Sequence, residues 1–115
     1  MRTMHLLVLA QIVALLIPIQ GYADEVVRGE SVYMGSCIVC HGADGSGSLP
    51  GVPDLTQLGG PLSQDDSLLL KRVIEGFQSP GSPMQMPARG GNPGLSDADL
   101  KAVIAYMKQR FKWTQ

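Results

Sequence analysis

Apolar residues recur at helical spacing in three stretches of the chain. In "SDADLKAVIAYMKQRF", Leu100, Val103, Ile104 and Met107 follow the i, i+3, i+4, i+7 pattern of one buried helix face. Ser96 is suited to cap its start, and Asp97 and Asp99 fall in its first turn. Lys108, Arg110 and Lys112 fall near its negative C-terminal end. The tail from Trp113 to Gln115 is expected to fray, or Trp113 to fold back. In "SQDDSLLLKRVIEGF", Leu69, Leu70, Val73 and Ile74 form a second stripe. Ser63 with Asp66 resembles a capping box, and Gly76 is a suitable stop. The third stretch, "EVVRGESVYMGSCIVCH", predicts a helix from about Glu25 into a pair of cysteines, with Val26, Tyr33 and Cys37 on one face. Gly29 costs helix propensity, a cost that is useful where another helix must cross closely.

Between the stripes lie two long polar segments, "GADGSGSLPGVPDLTQLGGP" and "QSPGSPMQMPARGGNPG". Both are rich in Gly, Pro and Ser, and neither alternates as a strand would. The expected fold class is therefore all-α, three or more helices joined by long loops. Loops of this length in a compact domain usually carry function or wrap something. The chain has few apolar residues for a large core, yet three stripes to bury. A large flat apolar ligand would solve both problems.

The first residues have a different pattern. Arg2 is followed by an uncharged apolar run from His5 to Ile19, then by small residues at Gly21 and Ala23. This is the layout of a secretory signal peptide cleaved before Asp24. The run is about 15 residues, short of the roughly 20 that span a bilayer. The expected organisation is a signal peptide over 1–23 and one domain over 24–115, exported, with no stable membrane insertion after cleavage. The remaining 92 residues have a net charge of about −2 and no basic patch, which argues against a nucleic-acid partner.

Only two cysteines are present, in "GSCIVCHGADG". A thioredoxin-like dithiol expects a βαβ neighbourhood, which this pattern lacks. A structural zinc site usually needs four Cys or His ligands, and after residue 23 only Cys37, Cys40 and His41 remain. C-x-x-C-H as a c-type haem attachment site uses all three. Each thiol adds across one haem vinyl group, and the three-residue spacing brings both sulfurs to one porphyrin edge. His41 then supplies the proximal iron ligand. Its uniqueness excludes a second histidine on the distal side. Met34 is too close to Cys37 to reach round the ring, and Met107 belongs to the last helix stripe. Met84 and Met86, on a loop framed by Pro83 and Pro87, remain as candidates.

These pieces together resemble a small bacterial monohaem cytochrome c of class I. The resemblance covers about residues 25–112. "GESVY" is similar to the family's first helix, with Gly29 and Tyr33 at a helix crossing and Tyr106 as the matching aromatic of the last helix. "GVPDL" is similar to the segment whose proline, here Pro53, accepts a hydrogen bond from the ligand histidine's other ring nitrogen. "MPARGGNPGLSDADL" is similar to the distal loop, in which the methionine directly before proline is the ligand. That implies Met86, with Met84 as the alternative.

The resemblance implies one covalent haem c, His41 and Met86 as axial ligands, and a periplasmic one-electron carrier exchanging electrons with redox-protein donors and acceptors. The expected electron exit is the thioether edge near Ile38, Val39 and Pro87, with Arg89 as the main nearby charge, either a propionate partner or a solvated side chain. Lys71 and Arg72 are read as a solvated face or propionate neighbours. An electron-accepting subunit bound to an exported dehydrogenase or oxidoreductase is the alternative. A catalytic or gas-sensing haem protein would need an open distal position, which the Met86 loop argues against.

Overall fold

The computed structural model describes residues 17–111. Most of the apolar N-terminal run, together with Lys112, Trp113 and the last residues, lies outside them. Helix α1 (Ile17–Val32) passes through a π-helical turn (Tyr33–Cys37) into a short α2 (Ile38–His41). Helix α3 spans Asp66–Glu75 and α4 spans Asp97–Arg110. The described residues contain no strand, only one isolated antiparallel bridge between Phe77 and Met86. The all-α expectation holds.

The last helix forms as its pattern predicts. Ser96 caps it with a complete capping box: its backbone N–H donates to the Asp99 carboxylate at 2.8 Å, and the Asp99 N–H donates to Ser96 Oγ at 3.1 Å. Leu100, Val103, Ile104 and Met107 are all buried. Full burial of such side chains is worth about 1.5–3 kcal/mol each, so this face anchors the core.

Helix α1 crosses α4 at Gly29. A Cβ built on Gly29 would overlap the Ala102 carbonyl and lie 2.7 Å from Tyr106 Cβ. Beyond the crossing, Tyr33 is fully buried between Tyr106 and Phe111, with ring centroids 5.5 and 5.2 Å away. Arg28 Nε donates to Asp99 at 2.7 Å on the outer side of the same crossing. Arg28 is half exposed, so solvent screens the pair in part.

Two boundaries differ from expectation. The first helix is continuous from Ile17 rather than from Glu25, and it widens into a π turn before the cysteines. The second helix is capped by Asp65, whose carboxylate accepts the Ser67 N–H at 3.1 Å. The anticipated Ser63–Asp66 box does not form. Ser63 belongs to a separate 3₁₀ turn (Pro61–Ser63) and donates its hydroxyl to the Gly60 carbonyl. Asp66 pairs instead with Lys108 of α4, which also donates to the Gln64 carbonyl at 3.1 Å. Pro61 starts a turn of its own, so the chain must restart the helix after Gln64. The predicted stop does hold, with Gly76 at φ 83°.

Candidate functional site

The π turn inserts one extra residue per turn just before the cysteines, a feature frequent at functional sites. It ends in Cys37 at φ −114°, and α2 follows at once, bringing Cys37, Cys40 and His41 to one wall of a cleft. Gly42, at φ 80°, stops the helix. The chain then folds back on the motif: the Gly47 N–H donates to the His41 carbonyl at 2.9 Å and the Ser48 N–H to the Cys40 carbonyl at 2.8 Å. The buried Tyr33 hydroxyl donates to the Gly42 carbonyl at 2.6 Å, tying the end of the motif to the helix crossing. Burial pushes that hydroxyl well above the usual tyrosine range, so it remains a neutral donor.

The cleft is concave, lined mainly by apolar side chains with a few convergent polar ones, and partly open to solvent. Val52 and Pro53 line it from the first long loop, Val73 and Phe77 from α3 and its exit, and Leu100, Val103 and Met107 from α4. A second recess shares His41, Pro53, Phe77, Met86 and Met107 and adds Leu55, Leu62, Leu69 and Ile104. The stripe of α4 thus has two roles, packing on α1 and flooring the cleft.

Met84 and Met86 stand on the wall supplied by the second long loop, both half-buried. Their placements differ. Met86 lines both recesses and is fixed by reciprocal backbone bonds with Phe77, at 2.8 and 3.1 Å. Met84 lines only the first recess. Gly76 makes the Phe77–Met86 pairing possible, because a Cβ there would lie 2.9 Å from the Met86 carbonyl. Of the other methionines, Met34 is half exposed and Met107 is buried in α4.

Two buried groups point to what the cleft takes. His41 Nδ1 is buried with no hydrogen-bond partner. Burial lowers the His41 pKa, so the ring is neutral near pH 7 and offers a nitrogen lone pair. A buried unpaired polar atom costs about 1–3 kcal/mol, which a metal or hydrogen-bond partner would relieve. Pro53 lines the cleft beside His41, but no bond joins its carbonyl to Nδ1. Burial, with the Cys40 charge adding to it, pushes the Cys37 thiol up to about 11. The two cysteines are not joined to each other.

Arg89 lines the cleft and is not a free solvated side chain. It adopts φ 53°, in the left-handed region, and its guanidinium donates to the Leu95 carbonyl at 2.8 Å and to Asp97 at 2.7 Å. It pins the turn between the methionine loop and α4, and its charge is neutralised there. Neighbouring Gly90 packs on Ser36, one residue before the first cysteine. Arg72 is half-buried over the Phe77 ring, at 4.0 Å from its centroid, and borders the second recess, while Lys71 is exposed. Sequence patterning missed Phe111, although it continues the stripe four residues past Met107; it is buried against Gly45 of the loop after His41.

An all-α fold whose loops enclose an apolar cleft, with two thiols, an imidazole and facing thioethers on its walls, defines a haem-binding domain of the c type. Comparison with known sequences places it more closely. The cytochrome c family profile matches residues 26–110, and the chain belongs to that family, whose cofactor is covalently bound haem c. It is 33% identical over 94 residues to cytochrome c-555 of Chlorobaculum tepidum, covering 82% of this chain and 84% of that protein. It is 31% identical over 83 residues to cytochrome c-555 of Chlorobaculum thiosulfatiphilum, covering 72% and 93%. It is also 38% identical over 79 residues to a lupanine 17-hydroxylase (cytochrome c) of Pseudomonas, covering 69% of this chain but 10% of that much longer protein.

Proposed function

We propose that this protein is a periplasmic one-electron carrier whose haem is joined to Cys37 and Cys40 and ligated by His41 and Met86. The observation that carries this reading is the convergence of Cys37, Cys40 and His41 on one wall of the apolar cleft, with Met86 fixed by Phe77 on another. When bound, the haem supplies one-electron redox chemistry.

The residues divide the remaining work. Cys37 and Cys40 would hold the haem, each adding its S–H across one vinyl group so that the resulting thioether prevents loss of the cofactor. His41, kept neutral by burial, would offer a ring-nitrogen lone pair to the iron. The Pro53 carbonyl, on the adjacent loop lining the cleft, would accept the hydrogen bond of the other ring nitrogen once the ring is ligated, a bond this structure does not contain. Met86, held by Phe77 on the facing loop, would supply a soft neutral thioether, a ligand type that raises the potential and leaves no open position for oxygen or substrate. The protein is then a carrier rather than an enzyme. Leu100, Val103 and Met107 exclude water from the cleft floor, which disfavours the more highly charged oxidised state.

Electrons leave by the exposed edge beside Val39, which is 76% exposed. The neighbouring Ile38 and Pro87 are uncharged and Arg89 is already paired, so the docking face is apolar and steering is weak. Export rests on the signal-peptide pattern of residues 1–23. The second reading, a cytochrome subunit bound to an exported oxidoreductase, is favoured by the hydroxylase relative, whose name joins an enzyme to a cytochrome c.

The test is the absorption spectrum of the protein expressed with haem-attachment machinery, oxidised and reduced. Sharp reduced bands with a weak far-red Met–Fe(III) band are expected. Haem bands without the far-red feature would refute Met ligation, and absence of covalent haem would refute the whole reading. Co-purification with an oxidoreductase would decide for the subunit.

A further inference from the structure

The two long loops carry opposite sides of the cleft: one bears Pro53 beside His41, the other bears Met84 and Met86. Among the described residues, a single hydrogen bond joins them directly. Ser82 Oγ lies 3.0 Å from the Gly51 carbonyl. The same hydroxyl lies 3.0 Å from the Met84 carbonyl and accepts the Met84 N–H at 3.2 Å. A hydroxyl has one proton and two lone pairs, so it can accept from Met84 while sharing its proton between the two carbonyls. It therefore fixes the backbone two residues before Met86 and holds it to the facing loop.

The position of this hydroxyl is itself well determined. "SPGS" has the signature of a type II turn, with Pro80 at the second position and Gly81, at φ 80°, at the third. The Ser82 N–H closes the turn on the Ser79 carbonyl at 3.0 Å, and Gln78 Nε2 donates to the Ser82 carbonyl at 2.9 Å. On the other side Gly51, at φ 86°, admits the approach: a Cβ there would lie 2.8 Å from both Ser82 Oγ and Pro83 Cδ. Hydroxyl, turn and glycine are matched to one another.

We infer that Ser82 is a positioning residue, a clasp whose hydroxyl keeps the methionine loop closed over the cleft and so sets how readily the axial methionine is displaced. The inference rests on Met86 as an axial ligand. It adds that the lability of that ligand is governed by a hydroxyl which itself touches neither the iron nor the methionine side chain.

The experiment measures cyanide binding to the ferric holoprotein, together with the far-red band as pH is raised, in wild type, Ser82→Ala and Ser82→Thr. Ser82→Ala is expected to speed cyanide entry by about fivefold, the loosening that one net hydrogen bond supplies, and to lose the far-red band at lower pH. Ser82→Thr, which keeps the hydroxyl, is expected to restore both. A far-red band in wild type with unchanged cyanide entry in Ser82→Ala would overturn the clasp and leave Met86 ligation standing. Equal acceleration in both variants would also overturn it, because the effect would then be one of loop packing. Absence of the far-red band from wild type would overturn the ligand reading itself, and the clasp with it.

Discussion

Gly29 lies so close to the Ala102 carbonyl that no side chain larger than hydrogen fits between them. This contact sets the distance between α1 and α4. It also places Tyr33, one turn further on, between Tyr106 and Phe111, and through the Tyr33–Gly42 bond it anchors the cysteine motif. Gly29→Ala is expected to destabilise the holoprotein by about 2 kcal/mol, overpacking against backbone outweighing the gain in helix propensity. Gly35→Ala is the control, since a Cβ there meets nothing within 4 Å. Thermal unfolding compares them, and equal midpoints for the two variants would refute the account.

Phe77 pairs with the backbone of Met86, which borders both recesses, whereas Ser82 holds the backbone of Met84, which lines only the first. Met86→Ala is therefore expected to abolish the far-red band and lower the reduction potential, because a soft neutral ligand is lost. Met84→Ala is expected to keep the band. The ferric spectrum and a redox titration check both. The reverse pattern would assign the axial position to Met84.

Asp99 gives a pH dependence of known sign. The Ser96 backbone N–H, then the Ser96 hydroxyl and Arg28, hold its carboxyl below the usual carboxylate range. The folded state thus favours the ionised form. Its contribution to stability is fully present above the unfolded pKa of about 3.9, and it is lost as pH falls through the lower folded value. Asp99→Asn should lower the unfolding midpoint at pH 7, and the difference from wild type should shrink to nothing in strong acid. Denaturation series at several pH values test this; a gap that persists in acid would mean that the carboxylate's charge is not the cause.

Arg89 is committed to Leu95 and Asp97 rather than to solvent. Arg89→Gln is expected to cost about 1–2 kcal/mol through loss of both bonds. The ionic-strength dependence of electron exchange with a charged redox reagent should stay unchanged. A slope altered by the equivalent of one charge would show instead that Arg89 steers partners.

The chemistry was legible in the sequence because it is local. C-x-x-C-H needs only adjacent residues, and the α4 stripe and the Ser96 cap are set within one or two turns. Gly29 was legible in kind, as a place for close approach. Other features depend on what the chain meets far away. Pro61 starts a turn that makes Asp65, not Ser63, the helix cap, which leaves Asp66 to Lys108 42 residues on. The π turn at Tyr33–Cys37 reconciles the phase of α1, set by its crossing with α4, with the aim of the cysteines. Ser82 drew no reading from the sequence, and Arg89 only that of a propionate partner or a solvated side chain; their bonds to Gly51, Leu95 and Asp97 come from the tertiary fold.

The sequence by itself determined the cofactor class, the helical character and the narrow set of possible iron ligands, since all three follow from residue type and short spacing. Only the tertiary structure decided which methionine pairs with Phe77, which charges pair with each other and how the two long loops are joined. Those depend on contacts between loops distant in sequence, where backbone geometry, and not residue identity alone, selects the partner.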